Sequence, residues 1–236
     1  MRDFDTVNIE GTARRPEVHD WRIEAREYER QENRRGRRFA YSDLVPAATA
    51  LVVIDMVPFH VADNLYCHGI VPNINRLAET LRAAGGTVVW TLPGTSEPSR
   101  AAIEFFGPEI AESFSRSGGF GPLRARLWSE LVADEGDVFV DKSAFSAFFP
   151  GRCALPQQLE QRGIDTVLIT GTVTNVCCES SARDAATLGF RVIMVADANA
   201  ARRDQDHNAA LHTIYRSFGD VRPTSDVLDM IRATGR

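Results

Sequence analysis

Lys142 is the only lysine in the chain; the other 26 of its 27 basic residues are arginine. Arginine cannot stand in where a compact, titratable ammonium is required, so a lone lysine among arginines points to chemistry, against the plain reading that a coding bias toward arginine removed the others. A carboxylate and a thiol occupy comparable positions. Asp55 ends the apolar run Val52-Val53-Ile54, Asp141 and Lys142 end Val138-Phe139-Val140, and Gly171-Thr172-Val173-Thr174-Asn175-Val176-Cys177 follows Val167-Leu168-Ile169-Thr170. A thiol attacks as the thiolate, and a helix N-terminus or a neighbouring cation favours that form. Cys177 opens the helical pattern Val176 to Leu188, and Lys142 is the cation expected to face it. Asp55 is then the group to take the thiol proton and return it to a leaving amine. Backbone N–H groups of the loop before Cys177 would serve a developing oxyanion. This is an acyl-transfer set. Each residue also has a plain reading: Cys177 as a small buried hydrophobe, Asp55 as a strand-end cap, Lys142 as a loop cation.

Cys178 is the competing nucleophile. It lies about 100° further round a helix than Cys177, on the side of Ala182 and Ala185, and is expected in the core. Cys177 and Arg183 also satisfy the Cys-x5-Arg spacing of phosphatase and rhodanese loops. The intervening Cys178-Glu179-Ser180-Ser181-Ala182 has no glycine and sets a carboxylate where an oxyanion would bind, so this alternative ranks low. A noncatalytic binding role for the same pocket is a third reading. Phe59, Trp90 and Phe148 follow or end elements that point at the site and are candidate walls for a small planar substrate. Thr174 and Asn175 beside the nucleophile are candidate substrate contacts, Asn175 being equally suited to cap the helix. Arg202 and Arg203 offer a guanidinium for a substrate carboxylate, against the plain reading of a solvated loop. His207 and His212, five apart, do not share a helical face and carry no assigned chemistry.

These groups converge only if the elements around them form one kind of sheet. Strand-like runs at 50–54, 87–91, 138–140, 166–170 and 191–195, with a short one near Val221, alternate with helical patterns at 71–84, 123–131, 155–161, 176–188 and 207–218. The strands are continuous apolar runs, the mark of parallel strands covered on both faces, so the expected fold is a three-layer α/β/α sandwich. In open parallel sheets ligands gather beyond the carboxyl ends of the strands, where Asp55, Lys142 and Cys177 all fall. Gly85-Gly86, Gly163 and Gly189 stand where left-handed helix caps are needed. Residues 93–122, rich in proline and glycine, form a long connection suited to a lid or an oligomer contact.

Residues 1–44 read as an arm preceding a globular domain at 45–236. The first 40 residues hold 10 arginines and 9 acidic residues. Within them Trp21, Ala25 and Tyr28 fall at i, i+4 and i+7 of a helix and should pack on something, either their own domain or a neighbouring subunit; we expect packing across or beside a subunit interface. No apolar run approaches the roughly 20 residues of a membrane span, and Met1-Arg2-Asp3-Phe4-Asp5 does not open a signal peptide, so a soluble cytoplasmic protein is expected. The net charge of −5 carries no footprint for nucleic acid. Cys67, Cys153, Cys177 and Cys178 lack the spacing of a zinc site.

Three separated stretches, Val53-Ile54-Asp55-Met56, then Asp141-Lys142 with Ser146-Ala147-Phe148, then Ile169 to Cys177 with Ala182-Arg183-Asp184-Ala185, resemble in order and spacing the isochorismatase-like cysteine hydrolases. The likeness covers about residues 45 to 230 and leans to the amidohydrolase branch that holds ureidoacrylate amidohydrolase and N-carbamoylsarcosine amidase. It implies a six-stranded, mostly parallel sheet, a dimer or tetramer, and catalytic roles for Asp55, Lys142 and Cys177. It also implies a non-proline cis peptide between Thr172 and Val173, with the backbone N–H groups of Val173 and Cys177 as oxyanion hole. Members that hydrolyse isochorismate lack the cysteine, so its presence implies cleavage of an amide or ureide carbon–nitrogen bond in a small molecule, without a cofactor. Two departures stand out. Asp55-Met56-Val57-Pro58-Phe59 replaces the common Asp-Met-Gln, and Thr91-Leu92-Pro93-Gly94-Thr95 lacks the Asp-x-His of metal-dependent relatives, so no metal is expected.

Overall fold

A computed structural model describes residues 15–233. Its strands are β1 (Thr49–Ile54), β2 (Thr87–Pro93), β3 (Val138–Lys142), β4 (Thr166–Thr172), β5 (Arg191–Ala200) and β6 (Asp220–Arg222). They form one sheet in the order β3-β2-β1-β4-β5-β6, with every neighbouring pair parallel. The helices among the described residues are α1 (Ala25–Arg35), α2 (Pro58–Val61), α3 (Leu65–Ala83), α4 (Arg100–Phe106), α5 (Pro108–Ser115), α6 (Leu155–Gln161), α7 (Glu179–Thr187), α8 (Asp204–Ser217) and α9 (Thr224–Ala233).

The central strands β1 and β4 are buried at every position, which is why their sequences run apolar without alternation. Successive residues still serve opposite faces. Ala50, Val52 and Ile54 join a core closed by α6, α7 and α8, whereas Leu51 and Val53 join one closed by α3 and α9. This is the expected α/β sandwich, with a wholly parallel six-stranded sheet. Gly85, Gly163 and Gly189 take φ of 82°, 66° and 95°, the left-handed caps anticipated for them.

Several boundaries differ from the sequence pattern for identifiable reasons. Helix α3 begins at Leu65, well before Val71, because Asn64 caps it by accepting from the Tyr66 amide at 3.1 Å and the helix continues through Gly69 and Pro72. The pattern at 123–131 yields only a 3₁₀ turn at Leu123–Arg126, since the chain then crosses to the segment after β1, where the Trp128 amide donates to the Met56 carbonyl at 2.9 Å. Residues 93–122 contain α4 and α5 rather than open loop. Strand β5 continues to Ala200 because its polar residues find partners: Asn199 Nδ2 donates to the carbonyls of Ile169 and Val195, and Asp197 Oδ1 accepts from the amide and hydroxyl of Thr224.

The arm lies on its own domain. Its first 14 residues fall outside the described part. Trp21 precedes α1 instead of joining it, Ala25 is exposed, and the inward face of α1 is Glu27, Tyr28 and Gln31. The stripe expected from Trp21, Ala25 and Tyr28 is thus shifted by a turn, since the chain before Ala25 is extended. Tyr28 packs edge-on against Tyr215 of α8 at 5.2 Å and Phe39 at 6.3 Å, and Trp21 also rests on the α8 side of the core. No helix of the described residues is long and apolar enough to cross a membrane.

Candidate active site

The carboxyl ends of β1, β3 and β4 bring three side chains together. Asp55 directly follows β1 with φ 55°, a left-handed backbone that few residues other than glycine adopt but that Asp tolerates better than most. Its amide donates to the Thr91 carbonyl at 2.8 Å, tying it to β2. Lys142 is the last residue of β3, not a loop residue beyond it. Strand alternation exposes Asp141 and turns Lys142 inward. Its backbone is held on both sides, by the Gly94 amide and by a bridge to Cys153.

Cys177 stands in a π-helical turn, Thr174–Cys178, that leads into α7. The expected helix from Val176 to Leu188 is therefore regular only from Glu179. Single π turns of this kind often mark functional sites. Gly171, paired with Ile54, takes φ 109°, and a Cβ there would collide with the Ile54 backbone. Glycine is what lets β4 press so closely on β1 just before this turn. The Thr172–Val173 peptide is cis, as the family resemblance implied. The Ser181 hydroxyl donates to the Cys177 carbonyl at 2.6 Å and accepts from the Ala147 amide at 2.9 Å, anchoring the turn to the segment after Lys142.

Lys142 Nζ is 2.9 Å from Asp55 Oδ2 and 3.7 Å from Cys177 Sγ, and it donates to the Ala144 carbonyl at 3.0 Å. All three donor positions of the ammonium are thereby used. Asp55, Lys142 and Cys177 are 1%, 5% and 8% exposed, so the charges act with little water between them. Asp55 Oδ1 has no hydrogen-bond partner. Burial and then the Asp55 carboxylate push the Cys177 thiol well up, with Lys142 opposing them. Burial disfavours the Lys142 ammonium, but Asp55 and Cys177 together outweigh it and hold its pKa above the usual lysine value. Burial and Asp55 thus favour the protonated thiol, while Asp55 favours the Lys142 ammonium. The Val173 amide also faces the Cys177 sulfur.

The other candidates separate clearly. Cys178 is fully buried among Ala182 and Ala185, in the core as expected. Trp90 is not at the site: it is fully buried in the α3-side core, and its Nε1 donates to Asp137 Oδ2 at 2.7 Å near the start of β3. Phe148 too is core, packed edge-on against Phe190. Thr174 is buried, and its hydroxyl is engaged by His207 Nδ1 at 2.9 Å. Asn175 is exposed beside the nucleophile turn without capping it. Phe59, 43% exposed on α2, meets Phe114 of α5 edge-on at 6.0 Å, so the 93–122 segment reaches the residues just after Asp55. Arg183 is bound by Glu179 at 2.6 Å and lies over Phe218, away from Cys177, which removes the Cys-x5-Arg arrangement. Arg203 pairs with Asp206 in solvent. Arg202 and the half-buried His60 feel one another, and His60 also feels Asp55 and Lys142; burial, ahead of Asp55, keeps the His60 pKa below its usual value.

Two contributions escaped the sequence reading. His60 had no signal beyond its place near Asp55. His207 is fully buried, its pKa lowered to about 3 by burial and by His19. Its spacing to Ala210, Leu211 and Ile214 on the buried face of α8 was the legible clue. Among the described residues no three His, Cys, Asp or Glu side chains gather as a metal ion would need.

A parallel sheet covered on both faces, with a thiol, an ammonium and a carboxylate meeting beyond its carboxyl edge, defines a cysteine hydrolase of the α/β/α class. Residues 49–226 match the Isochorismatase domain. The chain belongs to the isochorismatase family. It is 32% identical over 192 residues to the isochorismatase family protein YwoC of Bacillus subtilis, covering 78% of this chain and 94% of that one. It is 28% identical over 213 residues to the ureidoacrylate amidohydrolase RutB of an Enterobacter species, covering 79% and 90%. A cysteine hydrolase structure from Pseudomonas syringae superposes with a TM-score of 0.72 at 26% identity, covering 83% of this chain and 97% of that one.

Proposed function

We propose that this hydrolase is an amidase that cleaves a carbon–nitrogen bond of a small amide or N-carbamoyl (ureido) compound through a thioester on Cys177. The observation that carries the reading is the buried cluster in which Lys142 Nζ lies 2.9 Å from Asp55 and 3.7 Å from Cys177. A thiol held neutral by burial needs a base within reach, and Asp55 Oδ1 is unengaged. Asp55 takes the thiol proton as sulfur attacks the carbonyl carbon, and the ammonium stabilises the anion that passes between them. The amides of Val173 and Cys177 serve the oxyanion. Collapse breaks the carbon–nitrogen bond, and the leaving nitrogen takes the proton back from Asp55. Water, deprotonated by the same carboxylate, then hydrolyses the thioester and restores the thiol. Likeness to a ureidoacrylate amidohydrolase favours a carbamoyl nitrogen compound as substrate.

Phe59 and Asn175 remain as substrate contacts in this reading, and Arg202 as the cation for a substrate carboxylate. A free catalytic thiol suits a reducing compartment, and we place the enzyme in the cytoplasm as a homo-oligomer. Ammonia release from a panel of N-carbamoyl acids and simple amides tests the activity. Cys177→Ala should lower turnover by about a thousandfold or more while Cys178→Ala stays within a few fold. Trapped substrate should appear by mass spectrometry on Cys177. Undiminished turnover by Cys177→Ala refutes the reading.

A further inference from the structure

The arm crosses the back of the site at a place shaped to receive it. The Glu17 amide donates to the Leu65 carbonyl at 3.1 Å, and the Glu17 carbonyl presses on Gly69 so closely that no Cβ fits there. Glycine inside a helix costs about 1 kcal/mol against alanine, so α3 gives up stability where the arm passes. Further along, the Arg22 amide donates to Asn208 Oδ1 at 2.7 Å, and Asn208 Nδ2 donates to the Asp20 carbonyl at 2.9 Å. Between these clamps His19 enters the protein and is 6% exposed. Its ring is stacked between Tyr66 of α3, at 3.8 Å and 9°, and His207 of α8, at 4.1 Å and 11°.

The hydrogen bonds of His19 define its tautomer. The Ala201 amide can only donate, and it meets His19 Nε2 at 3.0 Å, so Nε2 carries no proton. The proton is on Nδ1, which donates to Asp204 Oδ1 at 2.6 Å. Each partner leads to the site. Ala201 directly follows β5 and precedes Arg202, whereas His207 on the other ring face holds the Thr174 hydroxyl at 2.9 Å within the turn that carries Cys177.

We propose that His19 is a positioning residue for the reaction: in its Nδ1-protonated neutral form it seats the Ala201–Arg202 turn and, through His207 and Thr174, holds the nucleophile turn in its working geometry. The inference rests on the reading of Cys177 as the nucleophile. A second proton on His19 would set Nε2–H against the Ala201 N–H, and that bond would be lost. The titratable groups facing the ring are Asp204 and His207 of α8, Tyr66 of α3, and Glu17 of the arm itself. Burial, ahead of the opposing pull of Asp204 and Glu17, keeps the His19 pKa below its usual value. A pKa lowered by folding means that the seated form is fully present above about pH 6.5 and is lost as pH falls through the lower folded value.

Two full-length variants test this. His19→Phe keeps a ring between Tyr66 and His207 but loses both hydrogen bonds. His19→Gln has an oxygen to accept from Ala201 and an amide to donate to Asp204, and it does not titrate. Two rates are measured: turnover of an N-carbamoyl substrate, and alkylation of Cys177 by iodoacetamide followed by mass spectrometry, which needs no substrate. Near pH 8 His19→Phe should slow both by about tenfold with KM changed less than about threefold, and His19→Gln should recover most of the loss. The ratio of His19→Gln to wild-type alkylation cancels the thiol's own titration; it should rise as pH falls below about 6.5 and through the lowered folded pKa of His19. A His19→Phe protein that folds and alkylates like wild type overturns the proposal. So does a ratio that stays flat with pH, which decides the matter alone if His19→Phe does not fold. Failure of every substrate would count against the amidase reading, while the alkylation rates would still decide the role of His19.

Discussion

Removing both partners of the Asp55–Lys142 pair should destabilise the protein by clearly less than the two single removals summed. At 2.9 Å the two charges attract by about 6 kcal/mol at an effective dielectric near 20, most of which repays the cost of burying them. Lys142→Met leaves a 1%-exposed carboxylate whose Oδ1 already lacks a partner and whose Oδ2 has now lost its own. The expected loss is about 3–5 kcal/mol. Asp55→Asn strands an ammonium that retains only the Ala144 carbonyl and the thiol, and should cost a similar amount. The double variant removes both buried charges and should fall short of the summed losses by about 2 kcal/mol or more. Urea unfolding followed by circular dichroism supplies all four stabilities, with constant m-values as the check on two-state behaviour. Losses that add within about 0.5 kcal/mol would refute the pair as the stabilising unit of the site. Lys142→Arg sharpens the point. It keeps the charge, but its donors lie in one plane, whereas carboxylate, sulfur and carbonyl surround the ammonium on three sides. Most activity should be lost, and a near wild-type rate would show that arginine usage alone left one lysine behind.

Gly171→Ala combines a φ of 109° with a collision against the Ile54 backbone and should cost about 3 kcal/mol or more, read as a drop in Tm or as insoluble protein. Trp90→Phe removes the hydrogen bond to Asp137 and some core volume, so stability should fall by about 1–3 kcal/mol with KM unchanged; a raised KM at unchanged stability would put Trp90 back in the substrate pocket. Folding raises the pKa of both Cys177 and Lys142, so the unfolded chain loses these protons first as pH rises. The urea midpoint should decline above about pH 9, and Cys177→Ala should lessen the decline; a midpoint that rises with pH contradicts the assignment of a buried neutral thiol.

What the sequence disclosed and what it concealed divide along a physical line. Continuous apolar strands announce a parallel sheet, and such a sheet says where its ligands go, so Asp55, Lys142 and Cys177 could be gathered from three distant places. Aromatic side chains near strand ends carry no such information. Strand alternation decides whether Trp90 faces the site or the α3 core, and its phase became plain only with the partner strand in place. Phe148 followed the lysine closely in sequence yet turned toward Phe190. Polar residues with long-range partners misled in the opposite sense. Asp197 and Asn199 lay beyond the expected strand end because two of their partners, Thr224 and Ile169, lie on α9 and β4. His19 was unreadable for the same reason, since its contacts span up to 188 residues.

The strand order carries a consequence for how the chain is made. Strand β1 pairs on one side with β2 and on the other with β4, so a nascent chain that has released only β1 to β3 presents the far edge of β1 to its surroundings. That edge belongs to Thr49–Ile54, the apolar kind of segment that invites pairing with another chain. Asp55 and Lys142 are synthesised before the protecting strand, and the thiol emerges only after it. The arm waits longer still. His19 leaves the ribosome 182 residues ahead of Ala201, its hydrogen-bond donor, and the seat between Tyr66 and His207 is complete only when α8 has been made. Docking of the arm is thus a late event in synthesis, and it closes the back of the site after the elements that form the front are already paired.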